Sequence, residues 1–224
     1  NIDAAYRSLR KAVELAGNCD KEGIVKIRKA LDMAINAYGD KLTITGEPLI
    51  IHSINVAKMV VVEMGLGVTS IVTALLHDSS DSQGVDYDYI KNEFGLKAVE
   101  ILKGLSRISN IDSMQSTYQA ENFKKLLLSL ADDIRVILIK LVERLEYMRL
   151  IDRVPEKERP PLASETYFLY APLAHRLGFY SIKSEMEDQS VKILEPDQYK
   201  FIEERLKQTM SSRNRYIKEF IAPL

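Results

Sequence analysis

The fold is decided by residues 133–150, which read DIRVILIKLVERLEYMRL. Apolar residues fill almost every position from Ile134 to Leu141, so a helix over this stretch is apolar on nearly all sides in its first half. A helix without a polar face belongs in the interior of a protein. We therefore expect a central, buried helix around which the rest of the chain packs.

Elsewhere, apolar residues recur at helical spacing, as at Ile24, Ile27 and Leu31 in the second such segment. The pattern predicts further helices at residues 49–64, 70–77, 86–94, 97–105, 119–131, 163–177, 181–190 and 199–221. Polar or proline-rich residues at 106–117 and 154–161 predict loops. Since no strand pattern or internal repeat is recognisable, the predicted fold class is all-α, with many short helices around a buried central pair.

The composition narrows the class of protein. The chain has 224 residues, 46% of them hydrophobic, which fits a globular protein of one large or two small domains. A net charge of -1 argues against direct nucleic-acid binding by a broadly basic surface. A single cysteine, Cys19, excludes an internal disulfide framework and fits a reducing compartment, so we expect a cytoplasmic protein. No apolar run approaches the roughly 18 residues of a membrane span, and we recognise no signal peptide.

Two of the three histidines stand in a context that favours metal binding. His77 and Asp78 end an apolar segment, ALLHD, where an imidazole nitrogen and a carboxylate oxygen can face one ion. His52 is a candidate third ligand, and Glu143, a carboxylate in the apolar central helix, is a candidate fourth. A buried carboxylate needs a metal or another partner. Mixed nitrogen and oxygen ligands suit Mn²⁺, Fe or Zn.

Each of these residues also has a plain structural explanation. A lone histidine–aspartate pair is most often a surface or capping pair. Glu143 can form an ion pair with Arg144 or Lys140 on a partly exposed face, and His52 can be a satisfied core histidine. Only the combination of all four residues favours a metal site. His175 lies among apolar neighbours, so we expect a packed, structural residue there.

A further signal lies in the order of six segments: TGEPLIIH (45–52), ALLHD (74–78), ENFKK (121–125), DIRVILIKL (133–141), YAPLAHRLG (170–178) and EMED (185–188). Together they resemble motifs of the N-terminal HD-type hydrolase domain of the RelA/SpoT family, the enzymes that make and destroy (p)ppGpp. The resemblance implies an HD-domain-like multi-helix bundle over residues 1–195. It implies a helical connector at 196–224, leading toward a synthetase domain outside this sequence.

The resemblance also implies an activity, which is Mn²⁺-dependent hydrolysis of the 3′-pyrophosphate of (p)ppGpp. The implied metal ligands are His52, His77, Asp78 and Glu143. The candidate substrate-binding residues are Thr43, Ile44, Lys124, Lys125, Lys140 and Arg144. Lys124 and Lys125 can equally be a solvated helix face. In long members of the family a GTP pyrophosphokinase domain follows, and that domain is the expected partner beside the guanine nucleotide.

The sequence departs from the family's motifs at positions that carry the chemistry. The family's H-D-x-x-E-D reads HDSSDS here, so the catalytic acidic pair corresponds to Asp81 and Ser82. Asp81 is one methylene shorter than Glu, and Ser82 cannot act as a carboxylate base. Thr43 and Ile44 stand where the family usually carries an Arg–Lys pair that helps to hold the nucleotide.

A later motif differs as well, since Glu143 replaces the metal-binding Asp, and Glu146 and Tyr147 replace a His and an Asn. These departures favour a domain that has lost most hydrolysis and regulates an attached synthetase, while residual metal binding persists. Two alternatives stay open. One is an active Mn²⁺-dependent hydrolase of ppGpp, and the other is an HD phosphohydrolase for a different nucleotide.

Overall fold

The computed structural model describes residues 1–17, 19–81, 86–112 and 133–221, with side chains described except at 80, 81, 109–112, 208 and 210–221. The chain separates into two compact units, Asn1–Pro155 and a second unit that begins at Glu156. Helices make up nearly all of the described residues, and the one extended pairing in those ranges is an isolated bridge between Leu42 and Pro48. The all-α prediction is confirmed.

The first unit holds the helices α1 (Ile2–Ala16), α2 (Lys21–Tyr38), α3 (Leu49–Val62), α4 (Val68–Leu76), α5 (Tyr87–Phe94), α6 (Leu96–Asp112) and α7 (Ile134–Arg149). Capping side chains fix where several of them begin. Asp20, Asp86 and Asp133 each accept a hydrogen bond from a first-turn backbone N–H, at the starts of α2, α5 and α7.

The predicted central helix is α7, and it is buried. Every side chain from Val136 to Val142 is buried, and α3 and α6 pack against α7. Helix α6 comes close at Gly104, where a Cβ atom would lie 2.7 Å from Cγ2 of Val136, so a larger residue would push the helices apart. Ile134 in the first turn is 49% exposed, so burial begins later than the apolar run does.

Helices α3 and α4 complete the interior of this unit. Helix α4 is buried at every position from Ser70 to Leu76, and α3 packs against α1, α4 and α7. The buried hydroxyl of Tyr38 at the end of α2 donates a 2.8 Å hydrogen bond to the carbonyl oxygen of Leu75. These contacts hold the end of α4 in place beside α3.

The second unit holds α8 (Arg159–Glu165), α9 (Ala171–Arg176), α10 (Tyr180–Leu194) and α11 (Pro196–Ile221), with a π-helical turn at Thr166–Tyr170. The loop predicted at 154–161 ends early because Pro160 and Pro161 lie in the first turn of α8, where the missing N–H is no loss. The domain boundary predicted at residue 195 stays a prediction.

Two expectations from the sequence are wrong. His175 is exposed rather than packed, because it lies in the last turn of the short helix α9 and turns its ring edge toward Tyr180. The loop predicted at 106–117 is helical up to Asp112, since the apolar spacing continues through Ile108, which is 1% exposed. Residues 113–132, including the helix predicted at 119–131, lie outside the described ranges. No described helix has the length and apolar character to cross a membrane.

Candidate metal centre

Three of the four predicted ligands come together where the first turn of α3 lies beside the end of α4. His52 lies in the first turn of α3, and His77 and Asp78 follow α4 directly, in a 3₁₀ turn that runs to Asp81. One ligand atom from each of the three residues lies within 4.8 Å of the other two. We call His52, His77 and Asp78 the three-ligand cluster.

The imidazole of His52 is oriented by a carboxylate from α7. Its Nδ1 lies 2.9 Å from Oε2 of Glu146, and both side chains are almost fully buried. An ionised carboxylate can only accept, so Nδ1 of the neutral ring carries the proton and Nε2 keeps its lone pair. Nε2 of His52 is buried and has no hydrogen-bond partner in the described part of the chain.

A backbone carbonyl group orients the imidazole of His77 in the same way, through Nδ1. Nδ1 of His77 lies 2.7 Å from the carbonyl oxygen of Ala74, which can only accept. In the neutral ring Nε2 of His77 therefore keeps its lone pair, and it lies 3.3 Å from Oδ2 of Asp78. A lone pair and a carboxylate oxygen at this distance repel each other, and either a proton on Nε2 or a metal cation relieves that repulsion. The cluster thus fits a cation, and its nitrogen and oxygen donors suit Mn²⁺, Fe or Zn.

Negative charge around the cluster also raises the proton affinity of His52. Burial lowers the pKa of His52, but the hydrogen bond that its ring donates to Glu146 and the charges of Glu146, Glu143 and Asp78 outweigh burial, so the pKa lies above its ordinary value. The same surroundings that favour a proton on this ring favour a metal cation, which competes for the same lone pair.

Glu146 is the functional residue that the sequence interpretation missed. Its side chain is 6% exposed, and its second oxygen, Oε1, accepts a 3.3 Å hydrogen bond from Nδ2 of Asn55. In the sequence it counted only as a departure from a motif. The available signal was a second carboxylate three residues after Glu143 in an otherwise apolar helix, which places both on one face of α7.

Glu143, the predicted fourth ligand, lies outside the three-ligand cluster and has a protein partner. Its carboxylate oxygens lie 2.9 and 3.2 Å from Nζ of Lys140, and the two side chains are only 14% and 9% exposed. Burial raises the pKa of Glu143, but the positive charge of Lys140 outweighs burial and lowers the pKa to about 2, with added lowering from His77 and His52 when their rings are protonated, so the carboxyl stays ionised. Metal coordination by Glu143 therefore stays a prediction, and Lys140 is an ion-pair partner here.

Tyr147 covers one face of the His52 ring. The two ring centroids lie 4.8 Å apart at an interplanar angle of 27°. Burial raises the pKa of the Tyr147 phenol, as do the charges of Glu143, Asp78 and Glu146, so the hydroxyl remains a neutral donor. The half-buried Arg144 lies close enough to Tyr147 to oppose this rise.

The 41–48 loop leads into α3 and carries two predicted substrate-binding residues. The hydroxyl of Thr43 lies 2.8 Å from the hydroxyl of Thr45 and 3.2 Å from the carbonyl oxygen of Glu47, so it is used inside the loop. Ile44 is 44% exposed. Burial first, and then the charge of Glu146, raise the pKa of Glu47, which places the end of this loop near the three-ligand cluster.

The side chains of the remaining predicted site residues are not described by the structure. Lys124, Lys125 and Ser82 lie outside the described residues. Asp81 closes the 3₁₀ turn that begins at His77, and only its backbone is described. Their predicted roles stay predictions.

Comparisons with known proteins identify the family. A family model described as an HD domain matches residues 30–180. The chain is 37% identical to a guanosine-3′,5′-bis(diphosphate) 3′-pyrophosphohydrolase of Aquifex aeolicus over 88% of this chain and 28% of that protein. It is 34% identical to a GTP pyrophosphokinase of Myxococcus xanthus over 86% of this chain and 26% of that protein.

A third relative is the bifunctional (p)ppGpp synthase/hydrolase SpoT of Escherichia coli, which is 33% identical over 91% of this chain and 29% of that protein. The chain thus spans less than a third of the length of the curated relatives it matches. The resemblance to the RelA/SpoT family, inferred from the motifs, is confirmed over most of the chain. With the match over residues 30–180, the all-helical fold and a histidine–aspartate cluster at the end of α4, this chain belongs to the HD domain family.

Proposed function

We propose that this chain is the HD domain of a (p)ppGpp synthetase/hydrolase, that it binds a divalent metal ion, and that its hydrolysis of the 3′-pyrophosphate is impaired. We further propose that it regulates an attached GTP pyrophosphokinase domain. The observation that carries the metal site is the orientation of His52 and His77, whose Nε2 atoms both present lone pairs beside Asp78. The resemblance to the RelA/SpoT relatives supports the substrate. The choice of Mn²⁺ rests on the motif resemblance alone.

In this proposal, residues of this chain hold the metal ion and orient the groups around it. His52, His77 and Asp78 are the groups that would hold the ion, and the buried surroundings of both rings exclude water from their other faces. When bound, a divalent cation polarises a phosphoryl oxygen and lowers the pKa of a water molecule. The carboxylate of Asp78, only partly exposed, faces the histidines rather than bulk solvent.

The impairment rests on residues that should assist proton transfer and hold substrate. Ser82 stands at a carboxylate position, and general acid–base help is typically worth about 10²–10⁴-fold in rate. The hydroxyl of Thr43 is used within its loop, and Ile44 offers no charge to a pyrophosphate. Glu143 is held by Lys140 at 2.9 Å. Each of these leaves metal binding possible while turnover falls.

The direct test measures metal and product separately. The purified chain is titrated with Mn²⁺ and then assayed for pyrophosphate release from ppGpp, beside the matching segment of the Aquifex aeolicus hydrolase and a His77→Ala control. We expect Mn²⁺ binding that His77→Ala abolishes, and pyrophosphate release far slower than that of the Aquifex segment. A rate equal to that of the Aquifex segment contradicts impairment, and absence of Mn²⁺ binding contradicts the metal site.

The 41–48 loop favours one alternative, hydrolysis of a less highly charged nucleotide. Leu42 and Ile44 are 63% and 44% exposed, so this loop offers apolar contact where the family's motif carries two cations. A panel of nucleotides assayed with Mn²⁺ for phosphate and pyrophosphate release decides between the two substrates. Faster turnover of any other nucleotide than of ppGpp favours the alternative.

The regulatory role is tested in a protein that carries this domain together with the proposed GTP pyrophosphokinase domain. Synthetase activity is measured with and without residues 1–195, and with His77→Ala in place. We expect removal of the domain to change the synthesis rate or its response to ligands. Identical synthesis in the intact and shortened proteins contradicts regulation by this domain.

A further inference from the structure

We infer that Glu146, supported by Asn55, is a positioning residue that locks His52 in the Nδ1–H tautomer, so that its Nε2 lone pair faces His77 and Asp78. The inference rests on the proposed metal site for its consequence, but not for its geometry. Glu146 does not belong to the three-ligand cluster. It acts through the imidazole of His52, which is one of the three ligands.

The geometry assigns both carboxylate oxygens of Glu146 to donors on one helix. Oε2 lies 2.9 Å from Nδ1 of His52, and Oε1 lies 3.3 Å from Nδ2 of Asn55. His52 and Asn55 are three residues apart on α3, so they occupy adjacent turns of one face. Because both oxygens are occupied by α3, the carboxylate cannot rotate without losing a hydrogen bond.

Two contacts together leave the His52 ring one orientation. The stack of Tyr147, with centroids 4.8 Å apart, limits the plane of the ring. The hydrogen bond to Glu146 then decides which nitrogen carries the proton, because a carboxylate accepts and does not donate. A free neutral histidine prefers the proton on Nε2, which would turn an N–H toward the cluster and block a cation. Glu146 reverses that preference.

Stability alone does not account for this pair. Burying a polar pair such as His52 and Glu146 costs desolvation that apolar residues of the same volume would avoid, and the pair supplies an orientation that apolar residues could not. A carboxylate on the outer nitrogen also raises the basicity of a ligating imidazole, and loss of such a partner typically costs roughly 10–100-fold in metal affinity. The motif resembling this segment has His at this position, so Glu146 is a feature of this chain.

The tautomer is measured first, without metal. Nitrogen chemical shifts of His52 are recorded in the metal-free chain at alkaline pH, where the ring is neutral. We expect Nδ1–H in the wild type and in Glu146→Gln, whose amide oxygen still accepts, and a loss of this preference in Glu146→Ala. Asp133→Asn, which changes the carboxylate that caps the start of α7 outside the cluster, serves as the control and leaves the tautomer unchanged.

Metal affinity is measured next, by titration of the same variants with Mn²⁺ alone. We expect Glu146→Ala to bind Mn²⁺ roughly 10–100-fold more weakly than the wild type, Glu146→Gln to fall between them, and Asp133→Asn to bind normally. Should Glu146→Ala fail to fold, Glu146→Gln keeps the shape of the side chain and carries the test.

The outcomes separate the inference from the proposed function. An Nε2–H tautomer in the wild type overturns the inference, as does a Glu146→Ala variant with unchanged tautomer, or a folded pair of variants with unchanged Mn²⁺ affinity. A wild type that shows the Glu146-dependent tautomer but binds no Mn²⁺ supports the positioning role and overturns the proposed metal function instead.

Discussion

The three-ligand cluster and the 41–48 loop are neighbours along the chain, yet they are built on different principles. In the cluster, His52 donates to Glu146 on another helix and His77 donates to the carbonyl oxygen of Ala74 one turn earlier, and both rings are almost fully buried. In the loop, the polar groups of Thr43 bond within the loop itself, and Ile44 is exposed to solvent.

Under the proposed function, this difference predicts that changes to the 41–48 loop and changes to the metal cluster act separately. The cluster depends on buried packing of α3, α4 and α7, where a change in one residue disturbs several others. The loop depends on local hydrogen bonds, so its side chains can change without disturbing the core. Under the proposed function, we therefore expect metal binding to survive changes that remove substrate affinity and turnover.

The largest expected effect comes from restoring the residues that the proposal holds responsible for lost turnover. The combined variant carries Asp81→Glu, Ser82→Asp, Glu143→Asp, Thr43→Arg and Ile44→Lys. We expect pyrophosphate release from ppGpp to rise by about 10²–10⁴-fold, the usual worth of general acid–base help. The acidic pair alone should give much less, because residues acting as one unit are not additive. If the combined variant folds, binds Mn²⁺ and releases no pyrophosphate, the explanation of impairment by these residues is wrong.

The next largest effect is a loss of stability when the ion pair between Lys140 and Glu143 is broken. Lys140→Met leaves the buried Glu143 carboxylate without its cation, and breaking a buried pair typically costs about 3–5 kcal/mol. We expect this loss of unfolding free energy in urea without metal, and a smaller loss with Mn²⁺, since a nearby cation replaces the missing charge.

The chain offers a matched control for that variant. Lys97 and Glu100 form an ion pair with the same spacing and a 2.7 Å distance, but their side chains are 66% and 43% exposed. Lys97→Met should cost no more than about 1 kcal/mol and should not respond to Mn²⁺. Equal losses for the two lysines contradict a special role of the buried pair.

A smaller effect is expected in the 41–48 loop. Thr43→Arg with Ile44→Lys adds two exposed cations, each worth about 0.2–1 kcal/mol toward a phosphate, so ppGpp affinity should rise roughly two- to thirtyfold. The gain should shrink with added salt. Isothermal titration with ppGpp and with Mn²⁺ checks both halves of the comparison. A change in Mn²⁺ affinity would show that the loop and the cluster are not separable.

The smallest expected effect is on stability, and it comes from the charge of Asp133 at the start of α7, away from the site. Asp133 caps the helix and pairs with Arg135, whose hydrogen bonds hold the pKa of the Asp133 carboxyl below its usual value of 3.8. A depressed folded-state pKa stabilises the protein above the unfolded value and loses this effect as pH falls through the folded value.

Asp133→Asn keeps the capping oxygen but removes the charge and the Oδ2 acceptor of Arg135, so it should cost about 0.2–1 kcal/mol at neutral pH. The difference from the wild type should shrink on acidification below the ordinary pKa of aspartate and reach its minimum below the lowered folded-state pKa. Urea unfolding at neutral and acidic pH measures it, and a difference that grows in acid contradicts the assignment.

The sequence by itself determined the helical class, the buried run of α7, the family resemblance and the positions of His52, His77 and Asp78. These follow from patterns along the chain: a helical period, an apolar run and ordered motifs. It also predicted Glu143 as a fourth ligand, and that role stays a prediction because Glu143 pairs with Lys140 outside the three-ligand cluster.

Only the tertiary structure decided which partner each charged group chose. Glu143 pairs with Lys140, while Glu146, one turn later, reaches His52 on another helix. A helical period shows which residues share a face, but the partner across that face depends on where α3 and α7 cross, and that is set by packing of residues far apart in sequence. The exposure of His175 was likewise hidden, since only the packing of α9 shows that its buried face ends at Ala174 and that His175 and Arg176 lie on the solvent side.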